Sequence, residues 1–287
     1  MVSRVVKTED GSLTLYSERF KETYHSTTAG AFTEAVEKFY KPCKVEQIAR
    51  ERGVVRIFDS CFGLGYNTVA ALKRLSEQVP QAKVEVIGFE FDRRVIEESL
   101  KLPWGEHEKW KFLLRELLKN RKCEPFGAES LNFYSPKLKV KIFLCEGRQL
   151  LKNLKLKEFA DAVFHDPFSP KRNPELWTVE FFKGLRKIIK PEGILATYSA
   201  STAVRKGLLL SGFGVKEGVA VGRKSLSTLA SPSFQTDEKL LKKLKRAEAV
   251  PFRDPDLNDP PELIKGRREG CLKLLKREIP LLPLYQP

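Results

Sequence analysis

The sequence holds no run of eighteen apolar residues, which excludes a helical membrane span. Its opening, MVSRVVKTEDGSL, lacks the apolar stretch of a secretory leader, so a cytoplasmic protein is expected. Cysteine is sparse and odd in number: Cys43, Cys61, Cys123, Cys145 and Cys271 include no C-x-x-C pair, and reduced thiols are expected. The three histidines, His25, His107 and His165, are scattered, so no metal centre is expected. Internal repeats and low-complexity tracts are also missing. Acid is short relative to base, 37 Asp and Glu against 52 Lys and Arg, for a net charge of +15 over 287 residues. Such an excess favours a polyanionic partner, because each neutralised phosphate releases counterions. A lysine-rich soluble surface is the plainer alternative. Apolar residues make up 41% of the chain, enough for a large core.

What is present is organised by period. VVKTEDGSLTLY alternates around Asp10-Gly11 and predicts a hairpin within residues 1–20. Phe32, Val36 and Phe39 share one face of one or two helices over 30–52. Beyond this N-terminal extension (1–52), short apolar runs alternate with helical stretches: VVRIFD, KVEVIGFE, KVKIFLCE, ADAVFHD and GILATYS. That alternation predicts an α/β, Rossmann-like, mostly parallel sheet of seven strands. GFGVKEGVAVGRKSLSTLAS (212–231) has two strand patterns without a helix between, hence a closing antiparallel hairpin. The central domain is placed at 53–231. A helical insertion at 101–138 is expected to carry a helix from Glu106 to Cys123. A tail at 232–287, with the apolar stretch IPLLPLY near its end, is expected to pack on the domain.

Open α/β sheets bind ligands at the carboxyl ends of their strands. Here those ends carry Asp59, Glu90, Glu146 and Asp166. The loop DSCFGLGYN supplies Gly63 and Gly65, but Thr68 stands where a dinucleotide fingerprint has its third glycine. A nucleoside ligand without phosphates suits such a loop, and S-adenosylmethionine is one. Glu90 is placed to grip a ribose and Glu146 to receive an adenine amino group; alternatively both acids only cap helices. D-P-F at Asp166 resembles the [DN]-P-P-[YF] segment of methyltransferases that act on amino nitrogens. There the acidic side chain and the proline carbonyl accept hydrogen bonds from the target amine. Asp166 is the candidate catalytic group.

Three longer segments resemble the methyltransferase half of the MnmC family, which modifies the tRNA wobble uridine. They are FGLGYN, HDPFSPKRNPELWTVEFF and PEGILATYSASTAVRKGLLLSGFGVKEGVAVGRKSLS; TYHSTTAGAFTEAVEKF near the N-terminus adds a fourth. The resemblance implies S-adenosylmethionine-dependent methylation of the aminomethyl group of 5-aminomethyl-2-thiouridine in tRNA. It implies Asp166 as catalytic and Phe62, Gly63, Gly65, Asn67, Glu90, Glu146, Gly147 and Asp166 as cofactor-facing. Tyr24, Ser26, Glu34 and Phe168 would meet the substrate, and Lys171, Arg172, Arg205, Lys206, Arg223 and Lys224 the RNA. No second glycine-rich unit follows, so a free-standing methyltransferase without the family's flavin domain is expected. Pro167 stands where the family has glycine. Two other readings stay open on the sequence: an amino-group methyltransferase acting on DNA, protein or a small molecule, and an idle RNA-binding module.

Overall fold

Each apolar run becomes a strand in the computed structural model, which describes residues 2–222 and 224–278. Strands β1 (Val2–Lys7) and β2 (Leu13–Ser17) pair antiparallel across the predicted turn, where Gly11 adopts φ +81°. The Asp10 carboxylate accepts from the Ser12 and Thr33 backbone N–H groups, tying this turn to the first helix. A two-residue strand, β3 (Glu22–Thr23), completes a small sheet. Helix α1 (Ala31–Glu34) widens into a π-helical stretch, Ala35–Tyr40, followed by α2 (Val45–Arg52). Within that stretch Lys38 is buried and pairs with the buried Glu34 at 2.6 Å.

The main sheet starts with β4 (Val54–Ser60), α3 (Tyr66–Gln78), β5 (Lys83–Glu90) and α4 (Arg93–Lys101). The insertion differs from the single helix expected. It folds as a 3-10 turn, α5 (Lys111–Lys119) and a hairpin of β6 (Arg121–Cys123) and β7 (Glu129–Tyr134). Trp110, Leu113, Leu114 and Leu117 are buried, as the helical spacing predicts, but the helix stops before Asn120. There follow β8 (Leu138–Leu144), α6 (Gly147–Asn153), β9 (Ala160–His165), α7 (Val179–Ile188), β10 (Ile189–Thr197) and α8 (Thr202–Leu210). Strands β11 (Gly214–Glu217) and β12 (Thr228–Ser231) form the predicted closing hairpin.

Among the described residues the sheet has nine strands rather than seven, ordered β11-β12-β10-β9-β4-β5-β8-β7-β6. The two extra strands are β6 and β7, added antiparallel at the β8 edge. The five central strands are parallel. From β4 the chain steps outward to β5 and β8, then returns to β9 on the other side. The switch point therefore lies between β4 and β9, where a crevice opens at the strand ends. One apolar cluster packs Phe39, Leu72 and Leu113 on one face of the sheet; the other packs Trp177, Phe181 and Leu208 on the opposite face.

The C-terminal segment contributes α9 (Glu238–Leu244) and α10 (Pro261–Glu278). Asp254, fully buried, pairs with Arg148 of α6 at 2.8 Å, and Phe252 bridges to Thr178 at the start of α7. The apolar end of the chain, residues 279–287, lies outside the described residues. No described helix is long and apolar enough to cross a membrane.

Candidate active site

A cavity of about 520 Å³ opens at the carboxyl ends of β4, β5 and β9. The β4–α3 loop supplies its floor. Cys61, Gly63 and Gly65 all take positive φ there, at 85°, 56° and 87°, which turns the backbone sharply into α3. Phe62 and Gly63 line the cavity; Gly65 does not. Gly65 instead starts the helix, and a side chain there would come within 3.0 Å of the Phe62 ring. Gly147 lines the cavity at the start of α6, where an added Cβ would lie 2.6 Å from the Phe89 ring.

Glu90 closes β5 and faces the cavity. Its carboxylate accepts from the Gly63 N–H at 2.8 Å and the Asp92 N–H at 2.9 Å. It forms no ion pair among the described residues, and burial pushes its pKa up. Two backbone bonds leave lone pairs free. A ribose diol would donate to them, so the donor set fits the nucleoside expected from sequence. Glu146 also lines the cavity, yet it caps α6: it accepts from the Arg148 and Gln149 N–H groups and from Arg148 Nε. Glu146 thus caps α6 and lines the cavity at once.

Asp166 follows β9 and is buried against the cavity. Asn67 Nδ2 donates to its Oδ2 at 2.8 Å. Asn67 does not line the cavity; it was expected to contact the cofactor and instead holds the carboxylate. Burial, with the Glu34 carboxylate second, pushes Asp166 up to about 8. His25 Nδ1 lies 3.9 Å from Asp166 Oδ2. Burial pulls His25 down to about 4, so at neutral pH the ring is uncharged and this approach is no ion pair. The Pro167 carbonyl accepts from the Tyr198 hydroxyl at 3.0 Å, which occupies one of its two lone pairs.

The N-terminal sheet closes one side. Phe20 stacks on Phe168 at 4.3 Å, and Tyr24 meets the same ring edge-on at 4.9 Å. Glu22 accepts from both the backbone N–H and the hydroxyl of Ser169. Trp177 Nε1 donates to the Phe168 carbonyl at 2.8 Å, fixing the loop from behind. Tyr24, Ser26, Glu34 and Phe168, the residues expected to meet the substrate, all line the cavity. Glu34 is committed on both sides, to Lys38 and to the Ser26 N–H. Three participants were missed by sequence reasoning: Glu22, His25 and Tyr198. His25 sat between two selected residues in T-Y-H-S; Glu22 and Tyr198 gave no separate signal.

Among the cations expected to meet RNA, Lys171 and Arg172 are exposed between cavity-lining Ser169 and Asn173. Lys224 is exposed and Lys206 half-buried. Arg223 lies outside the described residues. Arg205 corrects the expectation: it is buried at 1% exposure and bonds Thr228 Oγ1, Glu217 and the carbonyls of Leu226 and Ser227. It stitches α8 to the closing hairpin and offers no charge to a partner. No group of described residues is arranged to hold a metal ion.

The chain matches a family described as S-adenosyl-L-methionine-dependent methyltransferase over residues 105–233. It is similar to MnmC2 from Aquifex aeolicus, a solved structure, with 36% identity and a TM-score of 0.82 over 95% of this chain and 85% of that one. An uncharacterized protein of Methanocaldococcus jannaschii is 32% identical over 96% of this chain and 74% of its own length. The tRNA 5-methylaminomethyl-2-thiouridine biosynthesis bifunctional protein MnmC of Ralstonia nicotianae is 30% identical over 76% of this chain. The match spans only 33% of that bifunctional protein.

Proposed function

Because the chain belongs to the MnmC2 family of S-adenosylmethionine-dependent methyltransferases, we propose that it methylates the aminomethyl nitrogen of 5-aminomethyl-2-thiouridine, or of its unthiolated form, at the tRNA wobble position. The product is the 5-methylaminomethyl nucleoside. The observation that carries this reading is Asp166, a buried carboxyl held by Asn67 in a cavity beside the glycine loop. When bound, S-adenosylmethionine supplies an electrophilic methyl group that an amine lone pair can take.

The residues of this chain divide the remaining work. Glu90 holds the cofactor's ribose, and Gly63 and Gly147 leave room for its close approach. Asp166 fixes the amine; the substrate ammonium beside it favours the ionised carboxyl, which accepts the proton that must leave before the nitrogen has a lone pair. Burial excludes water and strengthens that contact. Phe168, braced by Phe20 and Trp177, supports the base. The net charge of +15 supports a polyanionic substrate, with Lys171 and Arg172 at the rim.

Mass analysis of nucleosides tests the reading. Unmodified-amine tRNA is incubated with the enzyme and labelled S-adenosylmethionine and then digested. One labelled methyl on the aminomethyl uridine is expected. Label on another nucleoside, on DNA or on protein replaces this substrate with another amine.

A further inference from the structure

His25 is the most unusual polar side chain outside the roles assigned so far. It is 6% exposed, lines the active cavity, and neither ring nitrogen has a hydrogen-bond partner. A buried polar atom without a partner costs free energy, so its persistence calls for a role. The backbone places the ring firmly. His25 N–H donates to Thr14 Oγ1 at 3.1 Å, and Thr23 Oγ1 donates to the His25 carbonyl at 2.9 Å. The ring also meets Tyr66 edge-on at 5.0 Å.

We propose that His25 is a positioning residue behind Asp166, accepting a hydrogen bond at Nδ1 from the protonated carboxyl and so setting when that carboxyl is free to receive the substrate amine's proton. The proposal rests on the amine-methylating reading above. Proton balance protonates the Asp166 carboxyl once in every turnover. A primary ammonium must shed one proton to expose its lone pair, and the methylated product is again an ammonium. One proton is thus released per turnover. Asp166 takes it from nitrogen, His25 Nδ1 accepts a hydrogen bond from the carboxylic acid so formed, and the proton leaves Asp166 to solvent through the open cavity after transfer. The two side chains line the same cavity with His25 Nδ1 and Asp166 Oδ2 3.9 Å apart, so a hydrogen bond between them requires a side-chain rotation.

The surroundings favour a shared proton over two separate charges. The charged and titratable groups around the pair are Glu34 with its partner Lys38 from the first helices, Asp10 from the hairpin turn, Asp59 from β4, Cys61 from the glycine loop and Tyr66 from α3. Glu34 is already bonded to Lys38 at 2.6 Å and to the Ser26 N–H. Asn67 can donate to the carboxylate but cannot take a proton. Among the described residues His25 is the neutral base within reach of Asp166.

His25→Phe keeps a ring of similar size and removes the base; His25→Asn keeps an acceptor near the Nδ1 position that cannot be protonated. Infrared titration of the Asp166 carboxyl in the free protein, identified by its loss in Asp166→Asn, reads the pair without any substrate. A lone carboxyl loses its proton earlier than one sharing it, so the midpoint in His25→Phe is expected to fall by about one pH unit. His25→Asn should recover part of that fall. With tRNA as substrate, kcat should drop roughly tenfold or more in His25→Phe and less in His25→Asn, with KM and S-adenosylmethionine affinity held. An unchanged or raised midpoint in a folded His25→Phe protein overturns the proposal. A lowered midpoint in a protein that methylates no amine overturns the amine reading and leaves the shared proton standing.

Discussion

Asn67 Nδ2 donates to Asp166 Oδ2 at 2.8 Å, so the first turn of α3 orients the carboxylate at the end of β9. The glycine loop and the loop that follows β9 are therefore joined across the β4–β9 switch point. Asn67→Ala is expected to lower kcat roughly tenfold or more while S-adenosylmethionine affinity changes little. Steady-state kinetics beside calorimetric binding separates the two. A lost affinity with intact kcat would return Asn67 to the cofactor.

Asp166→Asn should bind S-adenosylmethionine and fail to transfer methyl. It also makes a stability prediction with a definite sign. The folded carboxyl keeps its proton up to about pH 8, whereas an unfolded aspartate loses it near pH 3.9. Between those values unfolding releases a proton, so rising pH favours the unfolded state. The asparagine variant lacks that slope. Its melting temperature should therefore gain on wild type as pH rises from about 4 to about 8, then hold a constant difference. Parallel melting curves across that window would show that Asp166 titrates normally.

Gly147→Ala places a methyl 2.6 Å from the Phe89 ring in the wall of the cavity. Overpacking of this kind costs about 1–3 kcal/mol of stability. The larger effect should be on the cofactor, with affinity down roughly tenfold as Phe89 is pushed inward. Calorimetric titration with S-adenosylhomocysteine measures it, and unchanged affinity would remove Gly147 from the cofactor site.

Arg205→Ala and Arg172→Ala should separate two kinds of cation. Loss of Arg205 leaves two carbonyls and Thr228 short of a donor, and about 2–3 kcal/mol of stability is expected to go. Its variant should show the wild-type salt dependence of tRNA binding. Arg172→Ala or Lys171→Ala should leave the melting temperature in place and reduce the log–log salt slope by about one each. Binding titrations across a salt series decide, and a slope unmoved by either rim variant would place the RNA elsewhere.

The strands, their parallel order and the acids at their ends were legible because buried parallel strands need long apolar runs and leave little else that the pattern fits. The insertion was less legible. Arg121 to Cys123 forms an edge strand exposed on every residue, with no apolar alternation to separate it from the helix before it. Arg205 misled for a related reason: charge in a sequence marks a cation without saying whether carbonyls and a carboxylate have gathered around it.

By itself the sequence determined the fold class, the cleft and the identity of its principal acids, because hydrophobic period fixes which segments are buried and glycine fixes where the chain turns. Only the tertiary structure decided what those acids touch. Glu146 turned to its own helix, Asn67 turned to Asp166, and His25 came to lie beside the same carboxylate from a bend 141 positions earlier in the chain. Such meetings depend on packing between distant elements, and no local pattern encodes the direction in which a side chain will find its partner.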